Sequence, residues 1–184
     1  MLGLEMSVKT LGKKTTILGV SCLVLWAASA MSYLGQFSGD VAATRYPLPN
    51  HELQQLGENN NAHLSDLTGQ PYLMNLWASW CVTCQAENKF LKELSRQGIP
   101  LAGIALKDNP DDAERWLARF GSPFSVSLQD PNGEFAETLG VQGAPETFVI
   151  DGEGHVRFHY QGLIQPEVWQ QRLKPLLDEL RVAR

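Results

Sequence analysis

The chain has 184 residues, of which 43% are hydrophobic and 19% charged. These values are ordinary for a globular protein and exclude a largely disordered one. The net charge is −5, and beyond the first 35 residues 12 basic residues face 19 acidic ones, which makes the chain a poor candidate for nucleic-acid binding. Two of the three cysteines are only three positions apart, whereas a disulfide-stapled scaffold spaces its cysteines widely.

The N-terminal segment carries the signature of a membrane anchor. Residues 15–39 contain no charged side chain, and Lys9, Lys13 and Lys14 precede them. The most apolar part, 17–34, approaches the roughly 20 residues needed to span a bilayer. Basic residues before it place the N-terminus in the cytoplasm and the rest outside. We therefore predict a basic N-terminus at 1–14 and a transmembrane helix at 15–35.

A cleaved signal peptide is the competing interpretation of this segment. Residues 17–27 would form its apolar core and Ala28-Ser29-Ala30 its cleavage site. The apolar run continues to Leu34, which favours an uncleaved anchor. Either way, the remaining chain is predicted to be exported. Cys22, inside this segment, is interpreted as a small apolar residue.

The next stretch, 36–63, is polar and rich in turn residues, which is typical of a tether. Its last part is expected to pack on the domain that follows at 64–184. A short helical turn is expected at Leu64–Leu67.

From Pro71 onward, predicted strands and helices alternate. The strands are expected at 72–77, 101–106, 125–128, 147–150 and 155–160, and the helices at 82–97, 108–120, 134–139 and 166–180. Gly98 and Gly121 are expected to end the first two helices. The order β-α-β-α-β-α-β-β-α predicts an α/β fold, with a mixed sheet covered by helices on both faces.

The motif Trp80-Cys81-Val82-Thr83-Cys84 lies between the first predicted strand and the first predicted helix and includes the first residues of that helix. Free N–H groups and the helix dipole favour the thiolate at this position, and a second thiol three residues on can close a ring. This arrangement suits thiol–disulfide exchange. A structural disulfide in so short a loop would stabilise little, and a zinc site would need two further ligands. We predict no metal and no cofactor other than the cysteine pair.

The chain resembles the CcmG/DsbE proteins, the membrane-tethered periplasmic branch of the thioredoxin fold that acts in cytochrome c maturation. The resemblance covers roughly 64–180 together with the anchor. It rests on three stretches, Asn75-Leu76-Trp77-Ala78-Ser79-Trp80-Cys81, Gly103-Ile104-Ala105-Leu106-Lys107-Asp108 and Leu139-Gly140-Val141-Gln142-Gly143-Ala144-Pro145-Glu146-Thr147-Phe148.

The resemblance implies a thioredoxin fold with an inserted strand and helix, at 122–139. It also implies a bacterial inner-membrane protein whose domain lies in the periplasm. Its activity would be to reduce the haem-binding cysteines of apocytochrome c, or a haem-ligation partner, with electrons from a membrane thiol reductase. A tethered reductase for other exported proteins, or for a copper site, is the alternative. A thiol peroxidase or a docking module with an inert disulfide is a weaker competitor.

The same resemblance assigns roles to the two cysteines and the proline. Cys81 would be the exposed nucleophile and Cys84 the resolving thiol. Pro145 would be cis and would leave the Ala144 backbone free to pair with a substrate strand. The alternatives are a permanent disulfide and an ordinary loop proline.

Four further positions are candidate supporting residues. Asn75 stands where thioredoxins keep a buried Asp and cannot ionise, so Glu87, one helical turn after Cys84, is the candidate proton acceptor. A solvated helix glutamate is the alternative for Glu87. Glu146 is expected at the rim, where its charge could bias the site or lie idle on the surface. Trp80 is expected to wall the site.

The remaining aromatic and histidine positions have simpler interpretations. Trp77 and Phe148 are predicted core residues, whereas His155 and His159, alternating along a strand, are predicted to be solvated. One position departs from the resemblance, because the family usually has Pro after the first cysteine and this chain has Val82. The intervening dipeptide tunes such sites.

Overall fold

The computed structural model describes residues 40–41, 45–58, 60–67 and 69–182. They contain one nine-stranded sheet with the strand order β1-β9-β8-β5-β6-β7-β3-β4. The ninth strand, β2, also pairs with β9. The strands are β1 (Asp40–Val41), β2 (Tyr46–Pro47), β3 (Glu52–Gln55), β4 (Asn61–His63), β5 (Tyr72–Trp77), β6 (Leu101–Leu106), β7 (Val126–Asp130), β8 (Glu146–Ile150) and β9 (His155–Gln161).

The pairing confirms the predicted mixed sheet. Strands β5, β6 and β7 are parallel neighbours. Strand β8 returns antiparallel to β5, and β9 is antiparallel to β8. Parallel neighbours require crossover helices, whereas β8 and β9 are joined by a tight turn. The alternation of strands and helices from β5 to β7 therefore accounts for the parallel part of the sheet, and the β8–β9 hairpin accounts for the antiparallel part.

The helices begin and end close to the predicted positions. They are α1 (Val82–Arg96), α2 (Pro110–Phe120), α3 (Glu134–Thr138), α4 (Pro166–Val168) and α5 (Lys174–Val182). A π-helical turn, Trp169–Leu173, joins α4 to α5. Helix α2 starts two residues later than the acidic run suggested, because Asn109 is its N-cap and accepts hydrogen bonds from Asp111 N–H and Asp112 N–H.

Side chains that alternate along β5 build a core on each face of the sheet. Met74 belongs to one apolar cluster, together with Ile104 and Phe148. Leu73 belongs to the other, where Leu91 of α1 packs. Trp77 and Phe148 are buried as predicted, with 1% and 0% of their surface exposed.

Both edges of the sheet contain strands from the predicted tether. Strands β1 and β2 pair with β9, and β3 pairs with β7 at the opposite edge. The sheet therefore begins well before the boundary drawn at 64. These strands are two to four residues long, too short for a periodic pattern to reveal them. The expected turn at Leu64–Leu67 is present as a 3₁₀ helix.

The predicted anchor, 15–35, and its alternative cleavage site lie outside the described residues. Within the part of the chain that is described, no helix combines the length and the apolar character needed to cross a membrane.

Gly103 of β6 occupies a site with no room for a side chain. A Cβ added there would lie 2.5 Å from Phe124 Cδ2, and the Phe124 ring stacks on Trp77 with centroids 5.8 Å apart. Gly103→Ala should therefore lower the free energy of unfolding by about 1–3 kcal/mol, the usual cost of overpacking. Urea unfolding of the oxidised protein measures this change.

Gly152→Ala is the matched control, because its added Cβ would have no neighbour nearer than 3.5 Å. We expect a change below about 0.5 kcal/mol there. Equal stability of the two variants would contradict the proposed crowding at Gly103.

Candidate active site

The cysteine pair lies at the junction of β5 and α1, and Cys81 is bonded to Cys84. Cys81 is the N-cap of α1, and its Sγ accepts a hydrogen bond from Cys84 N–H at 3.0 Å. The sulfur therefore takes the place that a Ser or Asp oxygen usually takes at a helix start. In the reduced protein, the same N–H and the helix dipole favour a thiolate at this sulfur.

The two cysteines differ in their access to solvent. Cys81 has 6% of its surface exposed and Cys84 has 2%. The residues flanking Cys81 are far more open, with Trp80 at 55% and Val82 at 83%. An incoming partner therefore meets two apolar side chains around the Cys81 sulfur.

Trp80 is held in place by the backbone of the residue that follows β6. Its Nε1–H donates to the Lys107 carbonyl oxygen at 3.2 Å. Lys107 has a φ of 45°, a left-handed conformation that is uncommon outside glycine. Trp80 also lines a groove of about 280 Å³, together with Lys107 and Gly143. The position of Trp80 agrees with the prediction that this side chain forms one wall of the site.

The loop before β8 approaches the disulfide from the other side. The Ala144–Pro145 peptide bond is cis. The Ala144 carbonyl oxygen lies 3.4 Å from Cys81 Sγ, and the Pro145 carbonyl accepts a hydrogen bond from Gly162 N–H at 2.9 Å. The segment that the sequence placed beside the cysteines is thus in contact with Cys81.

Glu87 is buried on α1, one helical turn after Cys84, with 1% of its surface exposed. Its Oε1 accepts from Ile164 N–H at 2.6 Å and its Oε2 from Asn75 Nδ2 at 3.2 Å. Asn75 Nδ2 also donates to Thr147 Oγ1 at 2.9 Å. Glu87 is therefore not the solvated glutamate of the alternative interpretation.

Burial changes the acidity of Glu87. Removal from water raises its pKa from 4.5 to about 7, and the hydrogen bonds from Ile164 and Asn75 oppose that rise. A group with this pKa exchanges its proton near neutral pH, as a general acid or base must. The geometry and the acidity both suit a proton acceptor one helical turn after Cys84.

Glu146 is buried instead of lying at the rim, with 3% of its surface exposed. Its Oε1 accepts from Gln142 N–H at 2.9 Å and from Gly143 N–H at 3.0 Å. Its Oε2 lies 2.6 Å from His159 Nε2. The alternative interpretation of Glu146 as a simple surface carboxylate is therefore wrong.

The prediction that His159 is solvated is also wrong, because only 6% of this residue is exposed. A β-bulge shifts the register of β9 between the Ile150–Val156 and Val149–Phe158 pairs. The extra residue reverses the alternation, so His159 shares a face with buried Val156. Only local periodicity was available from the sequence, and it places His155 and His159 on the same side.

An acidic cluster at the β8–β9 turn has a structural explanation. Asp151, Glu153 and His155 bring their polar atoms within 4.8 Å of one another. Arg45 contacts both carboxylates, and Arg157 lies 3.4 Å from Asp151 Oδ2. The arginines balance the negative charge that a cation would otherwise balance.

Comparison with known proteins agrees with this geometry. Residues 43–170 match the Redoxin family. The chain is 42% identical over 136 residues to the thiol:disulfide interchange protein DsbE of Haemophilus influenzae, covering 73% of this chain and 75% of the relative. It is also 42% identical over 135 residues to DsbE of Escherichia coli K12, covering 72% and 73%.

The fold is also similar to that of a solved structure, a secreted thiol-disulfide isomerase from Corynebacterium glutamicum. The TM-score is 0.65 and the identity 25%, and the match covers 78% of this chain and 94% of that one.

The raised pKa of Glu87 predicts how the free energy of unfolding depends on pH. Between pH 4.5 and about 7, the folded protein keeps a proton that the unfolded chain has lost. Stability from this group is therefore complete below pH 4.5 and falls as the pH rises to about 7, by about 3 kcal/mol. Glu87→Gln cannot titrate. The unfolding free energy of wild type minus that of this variant should fall by this amount across the window.

Urea unfolding of the oxidised proteins at a series of pH values measures this difference. Glu93→Gln on the same helix is the matched control, because the Glu93 side chain is 46% exposed, and it should follow the wild-type curve. Parallel curves for wild type and Glu87→Gln would refute the raised pKa.

Proposed function

The chain belongs to the DsbE family of thiol:disulfide interchange proteins, and from this premise we propose that it reduces disulfides of apocytochrome c or of a haem-ligation partner. It is a thiol:disulfide oxidoreductase with a Redoxin domain. The proposal concerns the direction of electron flow, the client and the roles of individual residues.

In the proposed reaction, the Cys81 thiolate attacks one sulfur of the client disulfide. The other client sulfur leaves as a thiolate, and a mixed disulfide joins Cys81 to the client. The Cys84 thiolate then attacks Cys81 Sγ, which releases the client dithiol and forms the Cys81–Cys84 disulfide. Two electrons pass from the protein to the client. A membrane thiol reductase returns them, and no other cofactor is required.

One observation supports these roles above the others. Cys81 Sγ is the helix cap, with Cys84 N–H at 3.0 Å, and it also lies 3.4 Å from the Ala144 carbonyl oxygen. The same sulfur thus has a thiolate-stabilising donor and a segment of backbone beside which a client chain can lie. Cys84, with less exposed surface, suits the resolving step.

Glu87 is the proposed proton acceptor for Cys84. It lies one helical turn further along α1, and its pKa near 7 lets it take the thiol proton as the resolving step begins. Asn75 holds Glu87 by a hydrogen bond and does not itself ionise. The proton acceptor therefore comes from the helix and not from the strand.

The family resemblance and the sequence support the proposed client and location. We propose that residues 15–35 anchor the chain in the bacterial inner membrane, with the domain in the periplasm. There an oxidising environment would close the cysteines of an exported client. Apocytochrome c requires both haem-binding cysteines as thiols, so a reductant is needed at that location.

Trapping of the mixed disulfide tests the client. Full-length Cys84→Ala lacks the resolving thiol, so its disulfide with a client should persist and be identified by mass spectrometry. We expect apocytochrome c or a haem-ligation partner to be captured in a host that makes c-type cytochromes. The double variant Cys81→Ala/Cys84→Ala is the control and should capture neither.

A broad set of exported proteins without cytochromes would reject this client and favour the general reductase. Capture of a copper-site protein alone would favour the copper-site alternative.

A further inference from the structure

His159 lies within a buried network that ends at the reactive cysteine. It is 2.6 Å from Glu146 Oε2, and Glu146 Oε1 accepts the N–H groups of Gln142 and Gly143. The residue after Gly143 is Ala144, whose carbonyl oxygen lies 3.4 Å from Cys81 Sγ. Three consecutive contacts and the Gly143–Ala144 peptide bond therefore connect strand β9 to the attacking sulfur.

The His159 ring has a fixed position in this network. It stacks on Phe148 with centroids 4.0 Å apart and planes at 12°, and its residue is 6% exposed. Val41 of β1 is the backbone pairing partner of His159 at the edge of the sheet. A buried ring packed in this way has one direction in which to present Nε2.

The direction of the hydrogen bond between His159 and Glu146 follows from the form of Glu146. With Glu146 as a carboxylate, which offers only acceptors, His159 Nε2 is the donor in this contact. Glu146 is buried, and a buried carboxylate is costly unless donors surround it. The loop supplies two N–H donors to Oε1, and His159 supplies the donor to Oε2. Without His159, one oxygen of Glu146 loses a donor that the network depends on.

We propose that His159 is a positioning residue for polypeptide substrates, because it fixes Glu146 and through it the loop 142–145 beside Cys81. His159 does not touch the reacting sulfurs. Its effect is confined to clients that lay their backbone along this loop, while a small disulfide can reach Cys81 without it. The inference rests on the proposed attack by Cys81 and on no particular client.

A merely stabilising role makes a different prediction. Loosening of the whole domain would slow the reactions of Cys81 with all disulfides alike. Loss of loop positioning would slow the reaction with peptides selectively. The informative quantity is therefore the ratio of two second-order rate constants, one for a peptide disulfide and one for a small disulfide without a peptide backbone.

The test uses the reduced full-length protein with a synthetic Cys-x-x-Cys peptide disulfide and with 2-hydroxyethyl disulfide. Stopped-flow fluorescence follows both reactions through Trp80, next to the cysteine pair. His159→Phe keeps the ring that packs on Phe148 and removes the donor. We expect it to lower the peptide-to-small-disulfide ratio about tenfold, because a displaced loop no longer orients the peptide backbone beside Cys81.

His159→Gln, which retains an N–H donor of similar reach, should recover most of the wild-type ratio. His155→Phe is the matched control on the same strand and should leave the ratio unchanged, since His155 lies at the β8–β9 turn beside Asp151. If His159→Phe does not fold, Glu146→Gln tests the other end of the contact and should lower the ratio in the same way.

An unchanged ratio in His159→Phe, or an equal loss of both rates, would overturn the inference while leaving the proposed function intact. A wild-type protein that reduces neither disulfide would overturn the proposed function and this inference with it.

Discussion

The contact between the N-terminus of α1 and the Cys81 sulfur is the constraint on which the site depends. Cys81 caps the helix with its sulfur. Helix α1 therefore begins directly after the first cysteine, a few residues beyond the end of β5. Buried Leu91 and Leu94 hold α1 on the sheet, and Asn88 Nδ2 donates to the carbonyls of Phe120 and Gly121. The packed core thus holds the first turn of α1 so that Cys84 N–H donates to the Cys81 sulfur. Reactivity is built into the way the chain folds at this junction.

Around this junction, two buried carboxylates occupy opposite faces of the sheet. Glu146 lies on the face of Met74 and Phe148, as the strand register requires. Glu87 meets Asn75 and hence lies on the α1 face. Glu146 contacts Gln142 N–H, Gly143 N–H and His159 Nε2, and the first two of these belong to the loop before β8. Glu87 has two donors and a pKa near 7, which suits a group that gains and loses a proton. The two carboxylates therefore contact different parts of the site, Glu146 the loop before β8 and Glu87 the residues Asn75 and Ile164.

The parts of the fold that the sequence predicted are those with a strong local signal. Strand β5 is apolar except for Asn75, and α1 combines a cap, an amphipathic pattern and a terminal glycine, so both begin where expected. The strands β1–β4 lack such a signal because they form by pairing at the edges of the sheet, β1 and β2 with β9, β3 with β7 and β4 with β3. His159 was misplaced for a related reason. A single bulge in β9 is a property of strand pairing, and no local pattern reports it. The cysteine pair and the Ala144–Pro145 segment were predicted, whereas the donor network of Glu146 depends on contacts between residues 13 positions apart.

Val82 shows how one substitution can alter the site without altering the fold. It is the first residue of α1, where the helix does not use the backbone N–H and where proline is well tolerated. Either residue can therefore start the helix, and the difference lies outside the core. Val82 is 83% exposed, so its methyl groups face an approaching partner, and unlike proline it keeps a backbone N–H at the start of the helix. A change at this position thus acts on partner contact and on the electrostatics of the sulfur. The packing that holds the sulfur in place does not depend on it.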